Sequence, residues 1–148
     1  MTDNEPRVAT LATMRQIVAS TPFNVLTKTD IIACADGYAE LSMPFDQSMT
    51  QHHGFLHGAL IGYLADTAIS WSAGSVVGDV VTSEFRVHIL APGKGDSFLA
   101  KGYVVKAGRR QVVSRAEVFA VLGGEEKLIA IATGTCIPVV VTNMENRA

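Results

Sequence analysis

The chain has little net charge of either sign. Twelve lysines and arginines stand against fourteen aspartates and glutamates, for a formal charge of −2, and no basic run occurs in its 148 residues. Nucleic acid is therefore not an expected partner, because phosphate contacts need clustered cations. Cysteine is scarce. Cys34 and Cys136 lie far apart without metal-type spacing, which reads as two free thiols in a reducing cytoplasm. The polar start, Met1-Thr2-Asp3-Asn4-Glu5-Pro6, lacks the basic-then-apolar pattern of a secretory signal. No uninterrupted apolar stretch convincingly spans a membrane. A cytoplasmic protein with no membrane partner is the expectation. No repeat and no linker appear, so residues 1–148 read as one domain, with tails at 1–6 and 143–148 expected to be disordered.

What the sequence does contain is concentrated in one stretch. His52-His53-Gly54-Phe55-Leu56-His57 is a histidine- and glycine-rich loop, and it runs into an apolar segment from about Gly58 to Gly74 with a single charge, Asp66. Leu60, Ile61, Tyr63, Leu64, Ala65, Ala68, Ile69 and Trp71 leave no clear polar stripe, which predicts a helix buried on most sides. A carboxylate there costs several kcal/mol unless it is hydrogen-bonded, paired or neutralised. Asp66 is then on the helix's one wet face, or bonded to Thr67 or Ser70, or kept as a base or nucleophile. Gly58, at the helix start, offers backbone N–H groups and the positive end of the helix dipole to a negative charge. The two residues are eight apart, about 12 Å along one helix. One substrate carbonyl cannot readily touch both, so they do unrelated jobs or come from two subunits.

The rest of the chain reads as a scaffold. Val8 to Ala19 has helical spacing and ends at Thr21-Pro22. Phe23 to Ala35 reads as a strand, Asp36-Gly37 as a hairpin turn, and Tyr38 to Phe45 as the returning strand, with Ala39, Leu41, Met43 and Phe45 alternating inward. Asp46 to Leu56 is a loop. After Gly78-Asp79 come four β segments: Val81 to Ile89, Phe98 to Lys106, Gln111 to Leu122 and Lys127 to Val141. Turns at Ala91–Asp96, Ala107–Arg109 and Gly123–Glu126 connect them, and short connections favour antiparallel neighbours. An antiparallel sheet covering one hydrophobic helix is an α+β layout.

With His57-Gly58, Leu64-Ala65-Asp66, Thr82, Leu90-Ala91-Pro92-Gly93, Gly95-Asp96 and Gly108-Arg109 in this order and spacing, the chain resembles the hotdog-fold acyl-CoA thioesterases of the phenylacetate-pathway and hydroxybenzoyl-CoA type. The resemblance covers about Gly37 to Ile137. It implies a sheet wrapped around a long central helix and hydrolysis of an aryl or short- to medium-chain acyl-CoA to a free acid and coenzyme A. Asp66 falls on the family's nucleophile or base, and Gly58 on its oxyanion donor. His57 matches the histidine that supports the loop and the thioester end. Gln51 matches a position that is asparagine in many members, Ser70 a helix hydroxyl, and Thr82 a hydroxyl that faces the reacting region. Ala59 stands where the family often has a second glycine, and its methyl either narrows the site or strengthens the helix. The resemblance also implies sites at the interface of a homodimer, often doubled to a tetramer, with the strand around Val81 to Leu90 pairing near a two-fold axis. No cofactor is implied beyond coenzyme A as part of the substrate.

Other candidates follow from residue chemistry. Coenzyme A carries phosphates, and Lys94, Lys101, Lys106, Arg109 and Arg110 are the available cations, with the Gly108-Arg109-Arg110 turn best placed. Phe55, Tyr63 and Trp71 permit an aryl or aliphatic acyl pocket, or are simply core. His52, His53 and His57 do not make a metal site, because Gly54 breaks any helix that would align His53 with His57 and no nearby cysteine completes a set. His88 alternates with apolar residues and reads as surface or interface. Ser72, Ser75 and Ser114 have no nucleophile setting. The rival reading is a non-catalytic acyl-CoA or small-ligand binding protein that keeps Asp66 as a polar anchor.

Overall fold

Residues 7–139 are described by a computed structural model; the tails expected at 1–6 and 143–148 lie outside the described residues. The first helix, α1, runs Leu11–Ser20, later than its hydrophobic spacing predicts. Thr10 sets the start: its hydroxyl accepts from the Thr13 N–H, and the Thr13 hydroxyl in turn accepts from the Thr10 N–H. Val8 is thus left outside the helix, and Met14 and Val18 are the residues it buries.

The predicted strand from Phe23 splits in two. Pro22–Thr27 is a short helix, α2, and only Asp30–Ala35 forms strand β1. Pro22 occupies the first helical turn, where its missing N–H costs nothing, and Lys28 ends the helix in the left-handed region at φ 56. These local signals outweigh the β preference of Phe23 and Val25, whose side chains are exposed.

Strand β2, Tyr38–Pro44, returns after a turn with Gly37 at φ 82. Ala39, Leu41 and Met43 point inward and are fully buried. Phe45 lies past the strand and is 41% exposed, so the alternation stops one residue early. A single turn of 3-10 helix at Gln47–Met49 and a bridge between Thr50 and Leu56 give the loop its shape. The central helix α3 then spans Gly58–Val77. Four strands follow: β3 Val80–Ile89, β4 Ser97–Ala107, β5 Val112–Leu122 and β6 Glu125–Pro138.

The six strands form one antiparallel sheet in the order β1-β2-β4-β5-β6-β3. The last four are therefore not a simple meander, as the short connections suggested. β4, β5 and β6 are hairpin neighbours, but β3 pairs with β6 at the far edge. The Leu90–Asp96 connection crosses the end of the sheet instead of turning a hairpin. It is held there because Leu56 donates to Gly93 O, Asp96 to Val121 O and Phe45 to Asp96 O.

The sheet wraps α3, and Leu64, Ile69, Phe98, Val118 and Ile129 meet in a core with no solvent exposure. Burying each such side chain contributes about 1.5–3 kcal/mol. Gly102 of β4 lies directly against the Ala68 backbone, where any side chain would collide with the carbonyl. That contact brings helix and sheet unusually close. It also fixes which helix residues face which strand.

Candidate active site

One stripe of α3 faces strand β3. Gly58, Gly62, Asp66 and Ser70 follow one another at four-residue intervals, which places them along one helix face. Their partners on β3 run the other way. A Cβ at Gly58 would sit 3.4 Å from Ile89 Cδ1, and one at Gly62 would sit 3.7 Å from the Phe85 ring. The Thr82 hydroxyl donates to Asp66 Oδ1 at 2.6 Å. A β-bulge makes this possible. The register of β3 on β6 slips between Thr82 and Glu84, so Ser83 is an extra residue and Thr82 and Phe85 both face the helix. Strict period-two alternation, which would put Val81 and Ser83 on the same face as Phe85, fails at that bulge.

At the upper end of the stripe, His57 caps α3. Its Nδ1 accepts from the Ala59 N–H at 3.0 Å, so the proton of the neutral ring sits on Nε2, on an exposed side chain. The N–H groups of Leu60 and Ile61 both bond the His57 carbonyl. Of the first four helix donors, only the Gly58 N–H has no acceptor among the described residues. No acidic side chain in the first turn competes for the positive end of the dipole. Gln51 stands beside it. Its N–H bonds the Phe55 carbonyl, and its side-chain oxygen accepts from the His53 N–H, so its amide NH2 is the part left for other groups. Gln51, His53, Phe55, Gly58, Ile89 and Pro92 line a mostly apolar groove of 440 Å³.

At the lower end, Asp66 is half-buried. Thr82 holds one carboxylate oxygen, and the other has no partner among the described residues. Neither expected helix neighbour bonds it: Thr67 donates to Tyr63 O and Ser70 to Thr67 O. The Cys136 thiol lies below Thr82, 3.9 Å from its hydroxyl. Burial pushes that thiol above the ordinary value; the Thr82 contact opposes the shift, and the negative charges of Asp66 and Glu84 add to it. Cys34 and Cys136 are both free and buried.

The other predicted residues are distributed unevenly. Ala59 is exposed, and its backbone serves the cap. Tyr63 lies on another face of α3. Its hydroxyl donates to Asn24 Oδ1 at 2.7 Å, lies 2.9 Å from Thr29 Oγ1, and its ring meets Phe23 edge-on at 4.8 Å. Tyr63 is therefore the anchor of α2, away from the Gly58 and Asp66 stripe. Gly108, Arg109 and Arg110 form the exposed β4–β5 turn, closed by the Gly108 N–H on Gln111 O. Val112 and Thr82 both pair with Cys136, so this turn stands at the Asp66 end of the sheet. Ser72 and Ser114 bond each other in the core, and Ser75 accepts from the Gly37 N–H. The His52 and His53 rings lie against each other, tilted by 42°, with centroids 3.9 Å apart. No cluster of three or more His, Cys, Asp or Glu side chains suited to a metal occurs among the described residues, and no helix there is long and apolar enough to cross a membrane.

Sequence reasoning missed Phe85 and Ile89 as walls of the helix stripe, and Asn24 and Thr29 as partners of Tyr63. The first pair needed the bulge to be known. The second was hidden because Asn24 lay in a segment read as strand.

The family model described as the thioesterase superfamily matches residues 53–127. An esterase-type protein of Saccharolobus solfataricus is 31% identical over 113 residues, which are 75% of this chain and 73% of that one. The acyl-coenzyme A thioesterase PaaI of Escherichia coli K12 is 29% identical over 106 residues, or 71% of this chain and 74% of its own. A thioesterase family protein from Silicibacter pomeroyi superposes with a TM-score of 0.83 at 34% identity, over 88% of this chain and 98% of that structure. With its helix wrapped by an antiparallel sheet and more than half its length in the matching segment, the chain belongs to the thioesterase superfamily, the hotdog-fold thioester hydrolases.

Proposed function

We infer that the protein hydrolyses acyl-CoA thioesters, with Gly58 of one subunit and Asp66 of the other forming each site of a homodimer. The observation that carries this reading is the incomplete stripe of α3. An unpaired helix N-terminal donor and a carboxylate with one free oxygen lie on the same face, about 12 Å apart along the helix. In one chain they cannot serve one carbonyl. A two-fold axis beside β3 brings each donor toward the other chain's carboxylate, because an isologous contact applies the same displacement twice. β3 suits that contact. It is an edge strand of ten residues, with Val81, Phe85 and Ile89 each 41–54% exposed. A long apolar edge left bare invites pairing with another chain.

The thioester oxygen accepts from the Gly58 N–H, which polarises the carbonyl and stabilises the oxyanion as it forms. The His57 Nε2–H and the Gln51 amide face the same end and hold the thioester there. Asp66 acts as base or nucleophile. As base, its free oxygen takes a proton from water while the water oxygen bonds the carbonyl carbon. The tetrahedral intermediate then breaks its C–S bond, the Asp66 proton passes to the sulfur, and acid and coenzyme A leave. As nucleophile, the carboxylate oxygen displaces the thiolate and water opens the resulting anhydride. In both cases Thr82 fixes the orientation of the carboxylate. Arg109 and Arg110, at the Asp66 end, meet the nucleotide phosphates.

The test is free-thiol release from a panel of aryl and aliphatic acyl-CoAs by wild type and Asp66→Asn. Release that depends on Asp66 supports the reading. Binding without release by wild type assigns the protein to the non-catalytic alternative.

A further inference from the structure

A second cavity, of 570 Å³, lies outside the stripe but touches it. Its apolar wall is Val8 from the segment before α1, Met14 and Ile17 from α1, and Trp71 from α3. Its nearest approach to the carboxylate is through Ser70 and Val80. Ser70 is one helical turn beyond Asp66, about 6 Å along the axis. Val80 is two residues before Thr82 on β3, so both point to the same side of the strand. The cavity lining therefore comes within one helical turn of Asp66 and two strand residues of Thr82. Its outer wall is tethered: the Ala9 N–H donates to Gly74 O at 2.9 Å, which holds the segment before α1 against the central helix. The volume falls within the roughly 300–1,000 Å³ of sites that enclose small molecules.

We propose that this cavity receives the acyl group of the thioester, and that Ile17, Val8 and Trp71 set the largest apolar acyl chain the enzyme accepts. The assignment rests on the hydrolase reading above. Acetyl is too small to reach the wall of α1. An aryl or medium-chain acyl group, carried past Ser70, buries its apolar surface against Met14 and Trp71. The polar part of the lining is Arg7, Thr13, Ser70 and Asp79.

The experiment is the chain-length profile of kcat/KM from acetyl-CoA to dodecanoyl-CoA, with phenylacetyl-CoA, for wild type, Ile17→Trp and Val8→Trp. Both residues are about half exposed, at 50% and 45%, so a larger side chain fills the cavity without breaking the core. Thermal melting identifies any variant that fails to fold, and the other then decides. The expected result is a shift of the optimum to shorter acyl groups, with the longest productive substrate losing about ten-fold or more relative to butyryl-CoA. Trp71 is the sole tryptophan of the chain, so octanoate and phenylacetate should change its emission saturably in the wild type. An unmoved profile in a folded variant overturns the assignment, whatever Trp71 reports. A shifted profile without a Trp71 response overturns the role of Trp71. Wild type that hydrolyses no ester removes the hydrolase reading and this assignment together, whereas normal hydrolysis with an unmoved profile removes only the assignment.

Discussion

The two flanks of α3 differ in how completely their polar groups are paired. On the flank toward α2 and β1, the Tyr63 hydroxyl is bonded to Asn24 and Thr29, and Thr67 to its own helix. The edge strand β1 there is six residues long, carries a bulge between Ile31 and Ala33, and packs under α1. On the flank toward β3, the Gly58 N–H has no acceptor among the described residues and one Asp66 oxygen is open. The edge strand is ten residues long and bears exposed Val81, Phe85 and Ile89. The first flank has a short edge strand covered by a helix, and the second a long edge strand with exposed apolar side chains. Within one helix, then, one side is finished by the chain's own residues and the other is prepared for groups the chain does not supply.

That contrast is sharpened most by Asp66→Asn. The substitution keeps the shape and the Thr82 contact but removes the base, and kcat is expected to fall by about 10²–10⁴ with the fold unchanged. Steady-state thiol release with circular dichroism checks it, and near-normal turnover would make Asp66 a structural residue. Next comes Gly58→Pro. Proline is favoured at the first helical position, and His57 at φ −60 and ψ 138 already has the backbone that a residue before proline requires. The helix should therefore form while the unpaired N–H disappears, with kcat down about 10²–10³. An unchanged kcat would exclude that N–H as the oxyanion donor.

Val81→Lys places a charge on the bare edge. We expect sedimentation to show dissociation into subunits, and activity to be lost in proportion to the monomer fraction; full activity in a monomer would break the shared-site reading. On the finished flank, Tyr63→Phe removes a bonded hydroxyl from the Asn24–Thr29 cluster. About 1–3 kcal/mol of stability should be lost, since the buried Asn24 side-chain oxygen is left unsatisfied while Thr29 keeps its bond to Thr27. A denaturant midpoint should register it, while kcat stays as in wild type. The smallest effect concerns the thiols. Burial raises the pKa of both Cys34 and Cys136, which favours their neutral forms in the folded state. The stability this contributes is complete below the ordinary thiol value of 9.0 and fades as pH rises through the higher folded values. Replacing both by alanine should flatten the alkaline side of a melting-temperature profile above pH 9.0, and an unaltered slope would assign it to other groups.

Much of the scaffold was legible because its signals are local. The inward set Ala39, Leu41 and Met43, the Asp36-Gly37 turn and the nearly uniform apolar face of α3 each show in a few consecutive residues. Phe23 to Thr27 was misread because β-forming side chains there are overruled by Pro22 at a helix start. The crossing of Leu90–Asp96 to β4 was misread because strand order depends on contacts between segments distant in the sequence. Of the site, Asp66, Gly58 and Thr82 stood out as residues, through an isolated charge, a helix start and a resemblance. The bond between Thr82 and Asp66 did not, since it needs the extra residue at Ser83.

The sequence by itself determined that a buried helix carrying one carboxylate must be covered by an antiparallel sheet. An apolar segment of about 17 residues and four β segments joined by short turns leave few other ways to hide their surface. Only the tertiary structure decided which helix face meets which strand, that the Tyr63 hydroxyl bonds Asn24 and Thr29, and that a cavity opens one turn beyond Asp66. Those outcomes rest on a bulge, a glycine-permitted close approach and a sheet order, and each is set by packing between residues far apart in the chain.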